Sequence, residues 1–280
     1  MNQRARPESD FRDYMREKFG AEGEQLDLAI GLIKMYDQRG LVSGRQALAL
    51  HRHCDCRGKC WGGEPRGRIP PRNIAGISVP WIGGGYPETR TVVAGINQFE
   101  YGGLFAHWWV YSNLAQELGG GKQHKGSMVA YAVATYLTVL AEADHGQTES
   151  GAPDPTAAEI VRAWSRCAFL ELVKCSPIGS RSKPNGEMWS NCLGEYLIKE
   201  LNLLGARRLL VLGTGISAER VALLSEQVLW EKGDGGLQRG RLELDKGSVE
   251  VFCCDHPAYS GWRRSIGQLA ASIQQDRSGL

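Results

Sequence analysis

Three short apolar runs in the second half of the chain, AFLELVKC, RRLLVLGTG and VEVFCCDHP, are separated by the helix-patterned segments GEMWSNCLGEYLIKEL and SAERVALLSEQVLW. No other feature constrains the fold as strongly. Strands that alternate with helices are joined by crossovers, and crossovers of this length make neighbouring strands parallel. A further run, TVVAGI, lies upstream and leads into Asn97. The pattern predicts an α/β protein of three layers, α/β/α, around a central parallel four-stranded sheet. Side chains at the carboxyl ends of parallel strands converge on one crevice, so a site is expected there. Asn97, the stretch from Glu171 to Cys175, and His256 are the polar groups at those ends.

Glu171 does not fit its surroundings. It sits in FLELV, a run that otherwise reads as buried, and a buried carboxylate without a partner carries a large desolvation penalty. Something should meet it. Either the acid faces a ligand pocket, or it pairs with a basic group such as Arg181 in the loop that follows.

Upstream, DFRDYMREKFG, EQLDLAIGLIKMYDQRG and SGRQALALHRH carry apolar residues at helical spacing. They predict a helical arm over residues 1–53, packed on a main domain spanning 54–280. Between Cys54 and Thr91 the composition turns to Gly, Pro and Arg, which is loop chemistry. FAHWWVYSNLAQEL and SMVAYAVATYLTVLAEA read as helices, and Thr156 with Glu159 forms a capping box ahead of another.

A chain of 280 residues can bury a large core without disulfides. With 42% hydrophobic and 23% charged residues, wholesale disorder is excluded. The formal charge is only +2, so a nucleic-acid partner would need a local basic patch rather than an overall field. The amino terminus shows no apolar signal-like core, and no apolar run approaches membrane-spanning length. A cytoplasmic, non-membrane protein is expected. In that compartment the eight cysteines are expected to be unpaired. The clustering of Cys54, Cys56 and Cys60 in CDCRGKC points to metal or cofactor ligation.

Taken in order, GIN at 95–97, FAH at 105–107, VKCSPIGSRSKPNGEMWSNC, LLVLGTGISAERVALL and HPAYSG at 256–261 resemble motifs of the uracil-DNA glycosylase superfamily. The first two are similar to the mismatch-specific and thymine-DNA branch, and the third to the iron–sulfur branch. The resemblance covers roughly Cys54 to the end of the chain. It implies a DNA glycosylase that flips a nucleotide out of the duplex and hydrolyses the bond between base and sugar. Asn97 would orient the attacking water. His256 would stabilise charge on the departing base, and Phe105 would stack on that base, unless it is an ordinary core residue. Gln98 and Phe99 complete the implied base-facing set. Tyr259 or Trp262 would wedge into the base stack, with Arg263 and Arg181 toward the DNA; a solvated turn is the alternative for Arg263.

The resemblance also implies a [4Fe–4S] cluster on four thiolates. Cys175 and Cys192 match the two later positions, and Cys56 and Cys60 are the expected early pair, with Cys54 as the substitute. A zinc site on the same thiolates is the alternative. Cys167, Cys253 and Cys254 read as core residues of strands.

Glu171 stands four residues before Cys175, where iron–sulfur members typically carry an Asn that pairs with uracil. An ionised carboxylate only accepts hydrogen bonds, so it clashes with the uracil O4 and matches the amino group of cytosine. The acid therefore favours a cytosine-type base, and because some members of the superfamily excise modified cytosines from phage DNA as antiviral defence, the resemblance implies a 5-modified cytosine, such as glucosylated hydroxymethylcytosine, as the expected substrate. Phe99 cuts against this, since a bulky aromatic there excludes ring substituents in strict uracil enzymes. Repair of uracil or another deaminated base, and a non-catalytic DNA-binding sensor, are the alternatives. A monomer is expected.

Overall fold

The computed structural model describes residues 8–43, 46–47, 74–75, 77–97, 103–119, 125–144, 154–174, 176–177, 184, 186–213, 216–222, 231–232, 237–257 and 262–278. The helices are α1 (Glu8–Phe19), α2 (Gly23–Gln38), α3 (Tyr86–Thr89), α4 (Ala106–Ser112), α5 (Leu114–Gly119), α6 (Lys125–Asp144), α7 (Ala157–Ser165), α8 (Gly186–Cys192), α9 (Ile198–Leu204), α10 (Ile216–Ala222) and α11 (Trp262–Ser278). A π-helical turn, Leu193–Leu197, joins α8 to α9. The strands are β1 (Val42–Ser43), β2 (Gln46–Ala47), β3 (Ile74–Ala75), β4 (Trp81–Ile82), β5 (Thr91–Asn97), β6 (Cys167–Val173), β7 (Ser176–Pro177), β8 (Arg208–Leu212), β9 (Glu231–Lys232), β10 (Gln238–Leu244) and β11 (Gly247–Cys254).

The main sheet is mixed and seven-stranded, in the order β4-β6-β5-β8-β11-β10-β9, which corrects the expectation of a four-stranded parallel sheet. The expected runs form its centre, where β6, β5, β8 and β11 are mutually parallel. Antiparallel strands extend both edges: β4 beside β6, and β10 followed by β9 beside β11. The chemical difference between centre and edge explains what the sequence conceals. Central strands are buried on both faces and read as continuous apolar runs. The edge strand β10, QRGRLEL, carries charges at alternate positions and buries only Leu242 fully, so it reads as a polar segment.

Two helix groups cover the sheet. In one group α6 packs on α7 and α11; in the other α2 packs on α9, while α8 reaches β6. The capping box of α7 is present, with Thr156 Oγ1 accepting the Glu159 N–H at 3.3 Å and Glu159 Oε2 accepting the Thr156 N–H at 2.7 Å. Buried tryptophans tie the layers together with satisfied indole N–H groups. Trp164 donates to the Ala130 carbonyl, Trp81 to that of Trp164, and Trp108 to that of Pro80, all within 2.9–3.0 Å.

The expected helices over α1 and α2 are present and join the main core through Phe11, Met15, Leu26 and Ile33. The helix expected to open at Ser43 is not. Among the described residues Val42 and Ser43 instead ladder antiparallel with Ala47 and Gln46. Among the described residues no helix is long and apolar enough to cross a membrane.

Candidate active site

The carboxyl ends of β5 and β6 lie side by side, with Gly95 opposite Glu171 and Asn97, the last residue of β5, opposite Val173. Gly95 is what lets the acid lie across β5. A Cβ at that position would stand 2.8 Å from Glu171 Oε2 and 3.1 Å from Phe169 Cζ. Gly95→Ala is therefore expected to displace the carboxylate, at an overpacking cost of roughly 1–3 kcal/mol. A thermal melt and an activity assay on the same preparation check this.

Glu171 meets His107. Its Oε1 lies 3.4 Å from His107 Nε2, and the two side chains are only 11% and 8% exposed. Glu171 Oε2 and His107 Nδ1 are buried and have no hydrogen-bond partner among the described residues. Within the FAH motif the sequence assigns His107 no role. Its signal was present: an imidazole near the start of a helix, on the turn that carries Phe105.

The local sequence fixes His107 firmly. Ser78 Oγ accepts its backbone N–H at 3.2 Å, and the adjacent Val79 N–H donates to the Leu104 carbonyl at 2.7 Å, anchoring the turn into α4. The Phe169 ring meets the imidazole edge-on at 5.2 Å, and Tyr111, one turn along α4, stacks on Trp164 at 4.1 Å. Burial, and then the negative charge of Glu171, push the Tyr111 phenol up.

His256 stands two residues beyond the end of β11, after Asp255. Burial holds its imidazole below the ordinary histidine value, and the charge of Glu171 acts in the opposite direction. His256 thus lies within electrostatic reach of Glu171, with β5 and β8 between β6 and β11 in the sheet. The loop is anchored by Asp255, whose N–H donates to Ser265 Oγ at 3.1 Å and whose carbonyl accepts from the Tyr136 hydroxyl at 3.3 Å.

Other expected residues take different positions. Phe105 is 5% exposed at the start of α4, and its ring is surrounded by Tyr14 at 5.0 Å, Phe19 at 5.9 Å and Phe11 at 6.5 Å, all from α1. Trp262 is likewise buried, against Tyr131 at 5.8 Å and Tyr136 at 6.4 Å. Its ring belongs to the seam between α6 and α11, not to the surface where a DNA wedge would stand. Arg263 is exposed, stacks over Trp262 at 4.9 Å and pairs with Asp154 at 3.3 Å. Gln98, Phe99, Arg181 and Tyr259 lie outside the described residues, as do Cys54, Cys56, Cys60 and Cys175.

Cys192 is the one expected thiolate ligand among the described residues. Its sulfur is buried and accepts the backbone N–H of Lys174 at 3.5 Å, which sets it beside the residue that immediately precedes Cys175. Backbone N–H donation to sulfur is a recurrent second-shell feature of iron–sulfur ligation, so Cys192 fits the implied group. The π turn that begins directly after it is a distortion often found at functional sites. No group of three or more His, Cys, Asp or Glu able to hold a metal ion occurs among the described residues. Cys167, Cys253 and Cys254 are fully buried core residues, and burial pushes their thiols up, which leaves them unreactive.

A buried polar network that sequence reasoning missed supports the site from behind. Lys174 Nζ donates to Glu200 Oε2 at 2.6 Å and to the carbonyl of Glu171, while Glu200 Oε1 accepts from the Tyr36 hydroxyl. It links α2, α9 and the end of β6. A separate cleft opens at the opposite, amino-terminal end of the strands, lined by Thr91, Arg166, Arg207, Arg208 and Glu250 among others. Arg208 there is engaged by Glu250 at 3.4 Å. In comparison with known proteins, no family model and no curated protein matches the chain.

Proposed function

We propose that the chain is a monofunctional DNA glycosylase of uracil-DNA glycosylase-like fold that excises a 5-modified cytosine, in defence against phage DNA. The observation that carries the reading is the Glu171 carboxylate, held by His107 and electrostatically coupled to His256, beside the strand end that bears Asn97. An amide, an imidazole and an acid on three parallel strand ends are the groups that base excision requires.

In this reading the target nucleotide leaves the duplex at a cost of a few kcal/mol of unstacking. Asn97 orients a water toward the anomeric carbon. The C–N bond breaks, the bonding pair leaves with the base, water oxygen attaches to the sugar, and the proton that the water gives up ends on the departed base. An N–H of His256 donates to the base O2 as negative charge develops there, a preorganised stabilisation of the leaving group. Glu171 accepts from the exocyclic amine of the base. Phe105 can stack on the base only after the rings of α1 leave its face. Cys56, Cys60, Cys175 and Cys192, with Cys54 as alternative, would hold a [4Fe–4S] cluster, which when bound supplies a structural clamp beside β6. Gln98, Phe99, Arg181, Tyr259 and Arg263 complete the base- and DNA-facing set, and the enzyme acts as a monomer in the cytoplasm.

Duplexes carrying uracil, cytosine, hydroxymethylcytosine or its glucosylated form test this, with abasic sites read by alkaline strand scission. Release of the modified cytosine in preference to uracil is the expected result. Glu171→Gln should lower that release by about 5- to 150-fold, the value of roughly 1–3 kcal/mol for one matched base contact. Release of uracil alone would overturn the substrate assignment. Intact strands in every lane would overturn the activity.

A further inference from the structure

His107 and Glu171 form a pair with two buried polar atoms that have no partner among the described residues, on elements far apart in sequence but in contact in space. Native interiors leave few such atoms unsatisfied, and each one calls for an explanation. The imidazole Nε2 is the nitrogen that faces the carboxylate, 3.4 Å from Oε1. In a neutral ring with its N–H directed there, Nδ1 is an acceptor. Glu171 Oε2 is an acceptor as well. The pair is therefore an acceptor-only surface, and what satisfies it must bring donors.

We infer that His107 is a specificity-determining positioning residue, which holds Glu171 by Oε1 so that the pair selects a ligand edge bearing N–H donors, an exocyclic amine on a pyrimidine, over a carbonyl edge. This rests on the glycosylase reading and deepens it. Three features make His107 suited to the role. Its ring is fixed edge-on by Phe169, its backbone by Ser78, and its partner carboxylate fits only because residue 95 is a glycine. A side chain so constrained positions its neighbour without reorganisation when the ligand arrives.

The test compares wild type, His107→Phe, His107→Gln, Glu171→Gln and the His107→Phe/Glu171→Gln double variant on the duplexes above, with kcat and KM resolved separately. His107→Phe keeps a flat ring and removes the N–H. It should reduce the preference for amine-bearing bases over uracil by about tenfold, of the order of one matched base contact. His107→Gln, whose amide N–H reaches the position of Nε2, should restore the preference. In the Glu171→Gln background the phenylalanine should change the preference less than about twofold, because coupled residues are not additive. Should His107→Phe fail to melt cooperatively, His107→Asn, too short to reach Oε1, takes its place with the same expected loss.

An unchanged preference in the Phe or Asn variant, or losses that multiply in the double variant, would overturn the inference. If wild type releases no base at all, the glycosylase reading falls by itself. Calorimetric titration of cytidine against uridine then decides the donor-edge inference. Tighter cytidine binding that disappears in His107→Phe supports it, and equal binding overturns it.

Discussion

Lys174→Met is expected to destabilise the protein by roughly 3–5 kcal/mol, the usual cost of stranding one member of a buried ion pair. Lys174 and Glu200 are 3% and 0% exposed, and the ammonium bonds both Glu200 Oε2 and the Glu171 carbonyl. Without it, the Glu200 carboxylate keeps only the Tyr36 hydroxyl among these partners. Urea unfolding of wild type, Lys174→Met and Lys174→Met/Glu200→Leu gives the measurement. The double variant should recover most of the loss, because apolar replacement removes the stranded charge as well as its partner. A single variant as stable as wild type would show that Glu200 finds other solvation. The same substitution should reduce activity beyond its effect on stability, since the Lys174 ammonium holds the backbone carbonyl of Glu171, whereas the backbone N–H that meets Cys192 sulfur is kept.

His256→Ala is expected to lower kcat by about 10²- to 10³-fold, the loss typical of removing one preorganised donor to a developing anion. Burial lowers the His256 value and the Glu171 charge partly offsets this. The titration midpoint of its imidazole, followed by NMR, should therefore lie below the ordinary value of about 6.5. In Glu171→Gln the midpoint should fall further, because the group that raises it is gone. The sign for stability follows. A depressed folded value means the unfolded chain takes up the proton first, so this contribution is complete above about pH 6.5 and is lost as pH falls toward the folded value. A midpoint that ignores Glu171→Gln would separate the two residues and dissolve the common crevice.

How far the site was legible in the sequence depended on the kind of residue. Asn97, Glu171 and His256 could be picked out because strand-end position and anomalous polarity are visible in a linear string. His107 could not be assigned, since its role depends on α4 crossing the face of β6 that carries Phe169. Tyr36 and Lys174 stand 164 and 26 residues from their common partner Glu200 and share no motif with it, so only packing could connect them. The sequence points to Trp262 as a DNA wedge and leaves Phe105 open between base stacking and core, because an aromatic near a site motif looks the same whether it faces solvent or core.

Apolar runs and helix periodicity alone determined the four parallel central strands, the helices around them, the α7 cap and the burial of Cys167, Cys253 and Cys254. These are local or nearest-neighbour properties, encoded by side-chain spacing. Tertiary structure decided the antiparallel edges, the burial of Phe105 beneath α1, and the partner of Glu171. Each of those depends on which distant surfaces come into contact, and a desolvated charge takes whichever partner the fold delivers within a few ångströms.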